Sequence, residues 1–97
     1  MKIMISQPMK GKTNEEIRKE REYLVKEIES NGDIVLDTIF DEAPKNVDEA
    51  IFYLSESIKY LAKADAVFFM KGWEKARGCK IEHEVAVEYD KQVFYEY

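Results

Sequence analysis

A chain of 97 residues is long enough for one domain and too short for two, so we expect a single domain over residues 1–97. Hydrophobic residues make up 45% and charged residues 36%, which is typical of a globular protein and excludes a disordered one. The net charge of −5 and the lack of a basic stripe argue against binding to a nucleic acid polymer.

Cysteine content and hydropathy predict where the protein works. Cys79 is the only cysteine, so no intramolecular disulfide can form and a reducing compartment is expected. No apolar stretch approaches membrane-spanning length, and the N-terminus lacks a signal-peptide pattern. We therefore expect a cytoplasmic protein that does not act at a membrane. His83, the only histidine, lacks the partners of a metal site, so neither a metal nor a cofactor is predicted.

A strand and a helix are predicted at the start of the chain. Residues 2–6 alternate around apolar positions and are followed by proline and glycine, which indicates a buried strand that ends in a loop. Thr13 and Glu16 form a capping-box pattern, and the helix should end at Asn31 and Gly32. The apolar stripe of this helix consists of Ile17, Leu24, Val25 and Ile28.

A second strand and a second helix follow. A β-branched run predicts a strand over residues 33–40 that fades toward Asp41. Either Asn46 or Asp48 can cap the next helix. Its apolar stripe is the most regular in the chain and consists of Val47, Ile51, Leu54, Ile58 and Leu61.

The remaining elements are two strands and a helix. The continuous apolar run over residues 66–70 is typical of a strand covered on both faces. A loop over residues 71–78 leads to a third helix that ends near Asp90, with Ile81 and Val85 expected to face the sheet. Residues 93–97 should form the last strand.

The alternation of strands and helices predicts an α/β fold. Strict alternation favours a four-stranded parallel sheet of order 2-1-3-4 with helices on both faces, a three-layer, flavodoxin-like (Rossmann-like) arrangement. In such sheets ligands bind beyond the carboxyl ends of the strands, where the winding reverses. The crevice should therefore lie between the loops over residues 6–13 and 70–79.

The first of these loops could bind an anion. It joins a strand to a helix N-terminus, whose free N–H groups and positive dipole favour a phosphate or carboxylate. An ordinary loop with solvated lysines fits the same pattern, since neither a Walker A nor a dinucleotide motif is present. Its residues are Ser6, Gln7, Pro8, Met9, Lys10, Gly11, Lys12 and Thr13.

The second loop leads to two glutamates that cannot act together. Glu82 and Glu84 are turned by about 200° from each other on a helix, so only one can face the crevice. We expect this to be Glu82, which could equally be an acid that complements the helix dipole. Trp73 could stack on a base or sugar, or cap the core.

Three segments carry a resemblance over nearly the whole chain. They read ISQPMKGKT, LAKADAVFFM and GWEKARGCKIEHEVA. Together they resemble small phage and bacterial proteins, a branch of unassigned function that is allied to the nucleoside 2-deoxyribosyltransferases and the deoxynucleoside monophosphate N-glycosidases. The resemblance implies a flavodoxin-like sheet and a nucleoside or nucleotide in the crevice.

The resemblance also implies roles for individual residues. Glu82 lies four residues after Gly78, which is the spacing of the glutamate that attacks the anomeric carbon of the deoxyribose in those enzymes. By the same resemblance, the sugar and the 5′-phosphate would be held by Met9, Lys10 and Gly11. Ser57 stands where those enzymes carry an aspartate, and a hydroxyl cannot supply that aspartate's charge or proton.

Three functions are compatible with this pattern: an N-glycosidic enzyme, a non-catalytic module that binds or sequesters a nucleotide, and a structural component of an oligomer. Ser57 argues against the first, and the lysine-bearing first loop argues against the third. We also expect a homo-oligomer, most simply a dimer, because so short a chain has a limited core in which to bury its aromatic residues.

Overall fold

The computed structural model describes residues 1–40 and 42–97. Four strands alternate with three α-helices, and a short 3₁₀ helix precedes the last of these helices. The elements are β1 (Lys2–Ser6), α1 (Asn14–Ser30), β2 (Ile34–Leu36), α2 (Glu49–Lys63), β3 (Ala66–Phe69), the 3₁₀ helix (Trp73–Lys75), α3 (Arg77–Glu88) and β4 (Gln92–Tyr95).

The four strands form one parallel sheet in the order β2-β1-β3-β4, as the sequence predicts. In the register, Ser6 lies opposite Phe69, so the ends of β1 and β3 are level. The Met70 N–H extends this pairing by donating to the Ser6 carbonyl at 2.9 Å. The loops that follow β1 and β3 therefore begin side by side at one edge of the sheet.

Each face of the sheet has its own core. The side chains of successive strand residues point to opposite faces, so Ile3 and Ile5 pack with α1 while Met4 packs with the other two helices. Leu61 of α2 and Ala86 of α3 share the core with Met4, which places these helices on the same face. The α/β sandwich is thus three layers deep, with α1 alone on one side.

The helix starts follow from their capping residues. The Thr13 side chain accepts from the Glu16 N–H, and the Glu16 carboxylate accepts from the Thr13 N–H, so the predicted capping box is confirmed. Of the two candidate caps of α2, Asp48 is the one used, since its carboxylate accepts from the Ile51 N–H at 3.0 Å. Asn46 lies before the helix at a positive φ of 68°.

Strand β2 is shorter than the sequence predicts. It spans Ile34–Leu36 rather than residues 33–40, because the Asp37 carboxylate accepts from the Ile39 N–H at 3.0 Å and turns the chain out of the sheet. Thr38 is nevertheless buried and donates to the Ile5 carbonyl at 3.5 Å. The predicted fading of the strand toward Asp41 lies outside the described residues.

The other boundaries move by a few residues. Strand β3 ends at Phe69, one residue before the prediction, and β4 begins at Gln92 and ends at Tyr95 rather than spanning residues 93–97. The predicted loop over residues 71–78 contains the 3₁₀ helix and the first two residues of α3. In the part of the chain that the structure describes, no helix is both long and apolar enough to cross a membrane.

The predicted apolar stripe of α2 is only partly buried. Leu61 is its one fully buried member, and Ile58 packs against the same core. Ile51 remains 64% exposed, and Val47 lies before the helix and is also exposed. The first turn of α2 therefore extends beyond the sheet it was expected to cover.

Substitutions of Asp48 and Asn46, the two candidate caps of α2, should differ in their effect on the stability of the protein. Asp48→Ala should destabilise the protein by about 1 kcal/mol, because the Ile51 N–H loses its acceptor. Asn46→Gly should cost much less, since glycine adopts the positive φ freely. Thermal unfolding of the two variants measures the difference, and equal losses would contradict the assignment of Asp48 as the cap.

The exposed apolar side chains bear on the expected dimer, which stays a prediction. Ile51, Val47 and Tyr89 are all largely exposed, and such residues commonly lie at contacts between subunits. Sedimentation equilibrium at micromolar concentration should therefore give twice the mass of one chain. A mass of one chain would rule the dimer out.

Candidate functional site

A buried carboxyl group lies at the carboxyl end of β1. Glu82 is only 7% exposed, and its Oε1 accepts from the Ser6 hydroxyl at 2.6 Å. Ser6 is the last residue of β1, and Glu82 is on the second turn of α3, the helix that follows β3. The contact therefore joins the two strand ends between which the sequence places the crevice.

The orientation of α3 explains why Glu82 faces inward. The buried residues of this helix are Cys79, Glu82 and Ala86, at steps of three and four that define one stripe. Glu84 is exposed, so the two glutamates differ as predicted. The expectation that Ile81 faces the sheet is wrong: it is 39% exposed, because small and polar side chains rather than the large apolar ones occupy the inner stripe.

Gly78 contributes space at the start of α3. It is exposed within the first turn, and a Cβ at this position would meet nothing within 4 Å. The Ala76 side chain makes no capping hydrogen bond to this helix. The first turn of α3 is therefore uncovered at Gly78.

Burial controls the ionisation of this group of side chains. Desolvation raises the pKa of Glu82 above that of a free glutamate, and the hydroxyls of Ser6 and Ser57 and the charge of Arg21 offset part of this effect. Desolvation also raises the pKa of the Cys79 thiol to about 11, so Cys79 stays neutral at physiological pH. Ser57 of α2 is therefore close enough to Glu82 for its hydroxyl to lower the pKa of the carboxyl group.

The side chain of Gln7 points to the opposite face of the sheet from Ser6. Its Nε2 donates to the Ile17 carbonyl at 3.1 Å and to Glu20 at 3.0 Å, and its Oε1 accepts from the Nε of Arg21 at 2.8 Å. Both ends of the Gln7 amide are therefore used within the protein. This side chain fixes the loop after β1 to α1.

The remaining residues of the first loop are arranged in a turn. The Lys12 N–H donates to the Met9 carbonyl at 3.1 Å, and Gly11 adopts a φ of 77° that favours glycine. The Lys12 ammonium pairs with Glu20 at 2.9 Å, whereas Lys10 is exposed. Because the Glu16 carboxylate takes part in the capping box, the N-terminus of α1 already holds a negative group.

Arg21 is a residue of this region that the sequence analysis missed. It is 4% exposed, on the stripe of α1 that also carries Ile17 and Leu24. Burial lowers the pKa of its guanidinium to about 10, and the charges of Asp37 and Glu82 oppose that shift. The signal that could have found it is its spacing, since it lies four residues after Ile17 and three before Leu24 on the apolar stripe.

Trp73 is engaged by neighbouring aromatic rings. Its ring stacks on His83 with centroids 4.2 Å apart, and on Tyr95 with centroids 5.7 Å apart. The His83 Nε2 and the Tyr95 hydroxyl are 2.6 Å apart. This cluster joins the 3₁₀ helix to α3 and β4, so Trp73 also packs against the core of that face.

The two loops approach each other above the strand ends. A Cβ built on Gly72 would lie 3.4 Å from the Cγ of Pro8, and Gly72 has a φ of 89°. Two surface clefts lie on the α1 side of the sheet: one of about 610 Å³ along α1, whose lining includes Arg21, and one of about 240 Å³ beside Phe68 and Phe94. Glu82 lines neither of these two clefts.

The sequence-predicted site residues divide into two groups. The structure brings Ser6, Ser57 and Gly78 to the same end of the sheet as Glu82, with direct effects of both serines on its carboxyl group. Lys10 and Gly11 are exposed on the first loop, and Trp73 is stacked within the second. Among residues 1–40 and 42–97, no three histidine, cysteine or acidic side chains are grouped as metal ligands would be.

The fold and this site define a small parallel α/β domain with a buried acid at its topological switch point. The model of the family described as Domain of unknown function (DUF4406) matches residues 1–95, and the chain belongs to this family. Comparison with curated proteins and with solved structures gave no match.

Neutralising Glu82 should stabilise the protein at neutral pH. A carboxyl group whose pKa is raised on folding favours the folded state below its unfolded pKa, and that advantage is lost as the pH rises through the folded pKa. Glu82→Gln removes this loss and keeps an oxygen that can accept from Ser6. Its Tm should exceed that of the wild type at pH 7, and the difference should shrink toward pH 4.

Glu84→Gln is the matched control, because Glu84 is exposed two residues away on the same helix. Its Tm should follow the wild type at both pH values. A Glu82→Gln variant that is less stable than the wild type at pH 7 would show that the ionised carboxylate stabilises the fold, contrary to the effect of its burial.

Proposed function

We propose that the protein binds a nucleoside or nucleotide at the carboxyl ends of β1 and β3 and cleaves or transfers its N-glycosidic bond, with Glu82 as the nucleophile. The observation that carries the proposal is the buried Glu82 carboxyl group, held at 2.6 Å by Ser6 at the point where the winding of the sheet reverses. Parallel α/β sheets bind their ligands at this point.

The arrangement around Glu82 supports a role in chemistry. Burial of an acid that is desolvated and hydrogen bonded only by hydroxyls lowers the stability of the fold, and such groups are concentrated in functional sites. The first turn of α3 provides open space at Gly78, four residues before Glu82 on the same helix. The sequence resemblance to the nucleoside 2-deoxyribosyltransferases gives this acid the same spacing from a glycine as their nucleophile.

In the proposed reaction a Glu82 oxygen forms a bond to the anomeric carbon of the sugar as the bond from that carbon to the base breaks. The electron pair of the broken bond leaves with the base, which takes a proton from solvent because Ser57 has no acidic proton to give. Water, or an N–H nitrogen of another base, then attacks the same carbon, gives a proton to solvent and releases Glu82 as the carboxylate, with retention of configuration after two displacements.

Binding without turnover is the second candidate, and two observations favour it. The raised pKa of Glu82 increases the fraction of the neutral acid, which is a poor nucleophile. Ser57 lies beside Glu82 where the related enzymes carry an aspartate, so the site lacks a second acid there. In this case Glu82 would instead hydrogen bond a hydroxyl of the bound sugar.

Base release distinguishes the two functions. The purified protein would be incubated with the four deoxynucleosides and their 5′-monophosphates, and free base would be measured by chromatography. If the protein is an enzyme, Glu82→Gln should lower the rate of base release by about 10³-fold or more, because the amide keeps the shape but loses the nucleophile. Glu84→Gln should retain the wild-type rate.

Affinity for the same compounds tests the binding function. Without turnover, Glu82→Gln should weaken binding by about 1 to 3 kcal/mol, because the amide replaces the carboxyl group that hydrogen bonds the sugar hydroxyl; calorimetry measures the loss. Glu84→Gln should bind as the wild type does. A wild-type protein that neither binds any of these compounds nor releases a base would contradict both functions.

A further inference from the structure

We propose that the buried Arg21 guanidinium binds a phosphate group of the ligand at the carboxyl ends of β1 and β2. The inference rests on the proposed function, which it deepens by naming a charged group of the ligand and the residue that recognises it. The observation that carries it is an unpartnered donor: among the described residues, the Arg21 Nη2 is a buried side-chain nitrogen with no hydrogen-bond partner.

A buried guanidinium without a carboxylate partner destabilises the folded protein, because its charge has lost its hydration and no opposite charge is hydrogen bonded to it. The Nε of Arg21 donates to Gln7, which is neutral. The nearby carboxylate of Asp37 is engaged by Arg18 at 3.5 Å, and that of Glu82 accepts from Ser6. An anion that reached Arg21 would satisfy the free nitrogen and compensate the charge.

The surroundings of Arg21 place its head group at the ligand-binding edge of the sheet. Gln7 follows β1, Asp37 follows β2, and Glu82 is on the helix that follows β3. Arg21 hydrogen bonds to the first of these and interacts electrostatically with the other two. A group that hydrogen bonds a residue after β1, and whose charge is felt by residues that follow β2 and β3, lies at the carboxyl ends of these strands, where the proposed ligand binds.

The cations that the sequence places in the first loop are less suited to this task. Lys12 is paired with Glu20, and the Glu16 carboxylate occupies the capping box at the start of α1. Lys10 is exposed, so its attraction for an anion is screened by water and salt. A guanidinium that is 4% exposed is screened far less and presents a planar set of donors that matches a phosphate.

The ligand can reach Arg21 if the segment after β2 moves slightly. This segment is held to its neighbours by long hydrogen bonds: Arg18 to Asp37 at 3.5 Å, Thr38 to the Ile5 carbonyl at 3.5 Å, and Asn14 to the Phe40 carbonyl at 3.4 Å. Bonds of this length are weak. Thr38 is buried and the Phe40 ring packs on Tyr60 at 5.5 Å, so binding should open these hydrogen bonds and leave those contacts in place.

The test compares each deoxynucleoside with its 5′-monophosphate by calorimetry. The wild type should bind the monophosphate at least about tenfold more tightly, the effect expected of a charged hydrogen bond to phosphate. In Arg21→Gln this preference should fall to about threefold or less, while affinity for the nucleoside is retained. Lys19→Gln removes one exposed positive charge from the same helix and should keep the preference.

Three outcomes would overturn the inference. Equal wild-type affinities for nucleoside and monophosphate would refute it while leaving nucleoside binding intact. Loss of the preference in Lys10→Gln but not in Arg21→Gln would assign the phosphate to the loop instead. Binding of neither compound would overturn the proposed function, and this inference with it.

A second measurement covers the case in which Arg21→Gln does not fold. The wild-type chain has three arginines, so their side-chain Nε–H resonances can be assigned with the exposed Arg18→Lys and Arg77→Lys variants. Addition of the monophosphate, and of inorganic phosphate at higher concentration, should shift the Arg21 resonance, and addition of the nucleoside should not. An unmoved Arg21 resonance at saturating monophosphate would overturn the proposal.

Discussion

The hydrogen bond between Ser6 and Glu82 is the constraint around which the carboxyl-end edge of the sheet is arranged. It joins the end of the first strand to the third helix across 76 positions of the chain, at 2.6 Å and away from water. A buried carboxyl group that loses its partner is left with the full cost of desolvation. The fold can therefore keep Glu82 inside only while β1, β3 and α3 hold their present register.

This bond also determines which face of α3 is buried. With Glu82 directed at the strand ends, Cys79 and Ala86 must share the inner stripe, and Ile81 is turned outward. A helix packed for apolar burial alone would have turned its isoleucine inward. The orientation of α3 thus buries a polar side chain in place of an apolar one, at a cost in stability.

The end of β1 divides its polar residues between the two faces of the sheet. The Ser6 side chain points toward α3 and donates to the Glu82 carboxyl group. The Gln7 side chain points toward α1 and accepts from the Arg21 guanidinium. The period of two in a strand makes this division automatic for neighbouring residues. An acidic and a basic side chain are thereby buried at one strand end without forming a salt bridge. Each partly offsets, at a distance, the free-energy cost of burying the charge of the other.

The sequence was sufficient for the sheet order and for the different directions of Glu82 and Glu84, because strand-helix alternation and a 100° helical turn are local rules with few exceptions. It was insufficient for the length of β2, which ends where the Asp37 carboxylate accepts from the Ile39 N–H. It was also insufficient for the exposure of Ile81 and Ile51, which depends on how far neighbouring elements extend. Arg21 was missed because a charged residue on an apolar stripe is expected to reach water.

The raised pKa of Glu82 bears directly on the difference between catalysis and binding. A neutral acid can hydrogen bond a sugar hydroxyl at no further cost, whereas a nucleophile must first lose its proton. Loss of that proton is favoured when positive charge develops nearby, as it does at the anomeric carbon when a glycosidic bond breaks. A desolvated Glu82 would then stabilise the transition state more than the ground state, which is the condition for catalysis. The same burial that favours the neutral form of Glu82 at rest would make its carboxylate an effective partner for such a cation, so a pH-rate profile governed by its raised pKa would identify an enzyme.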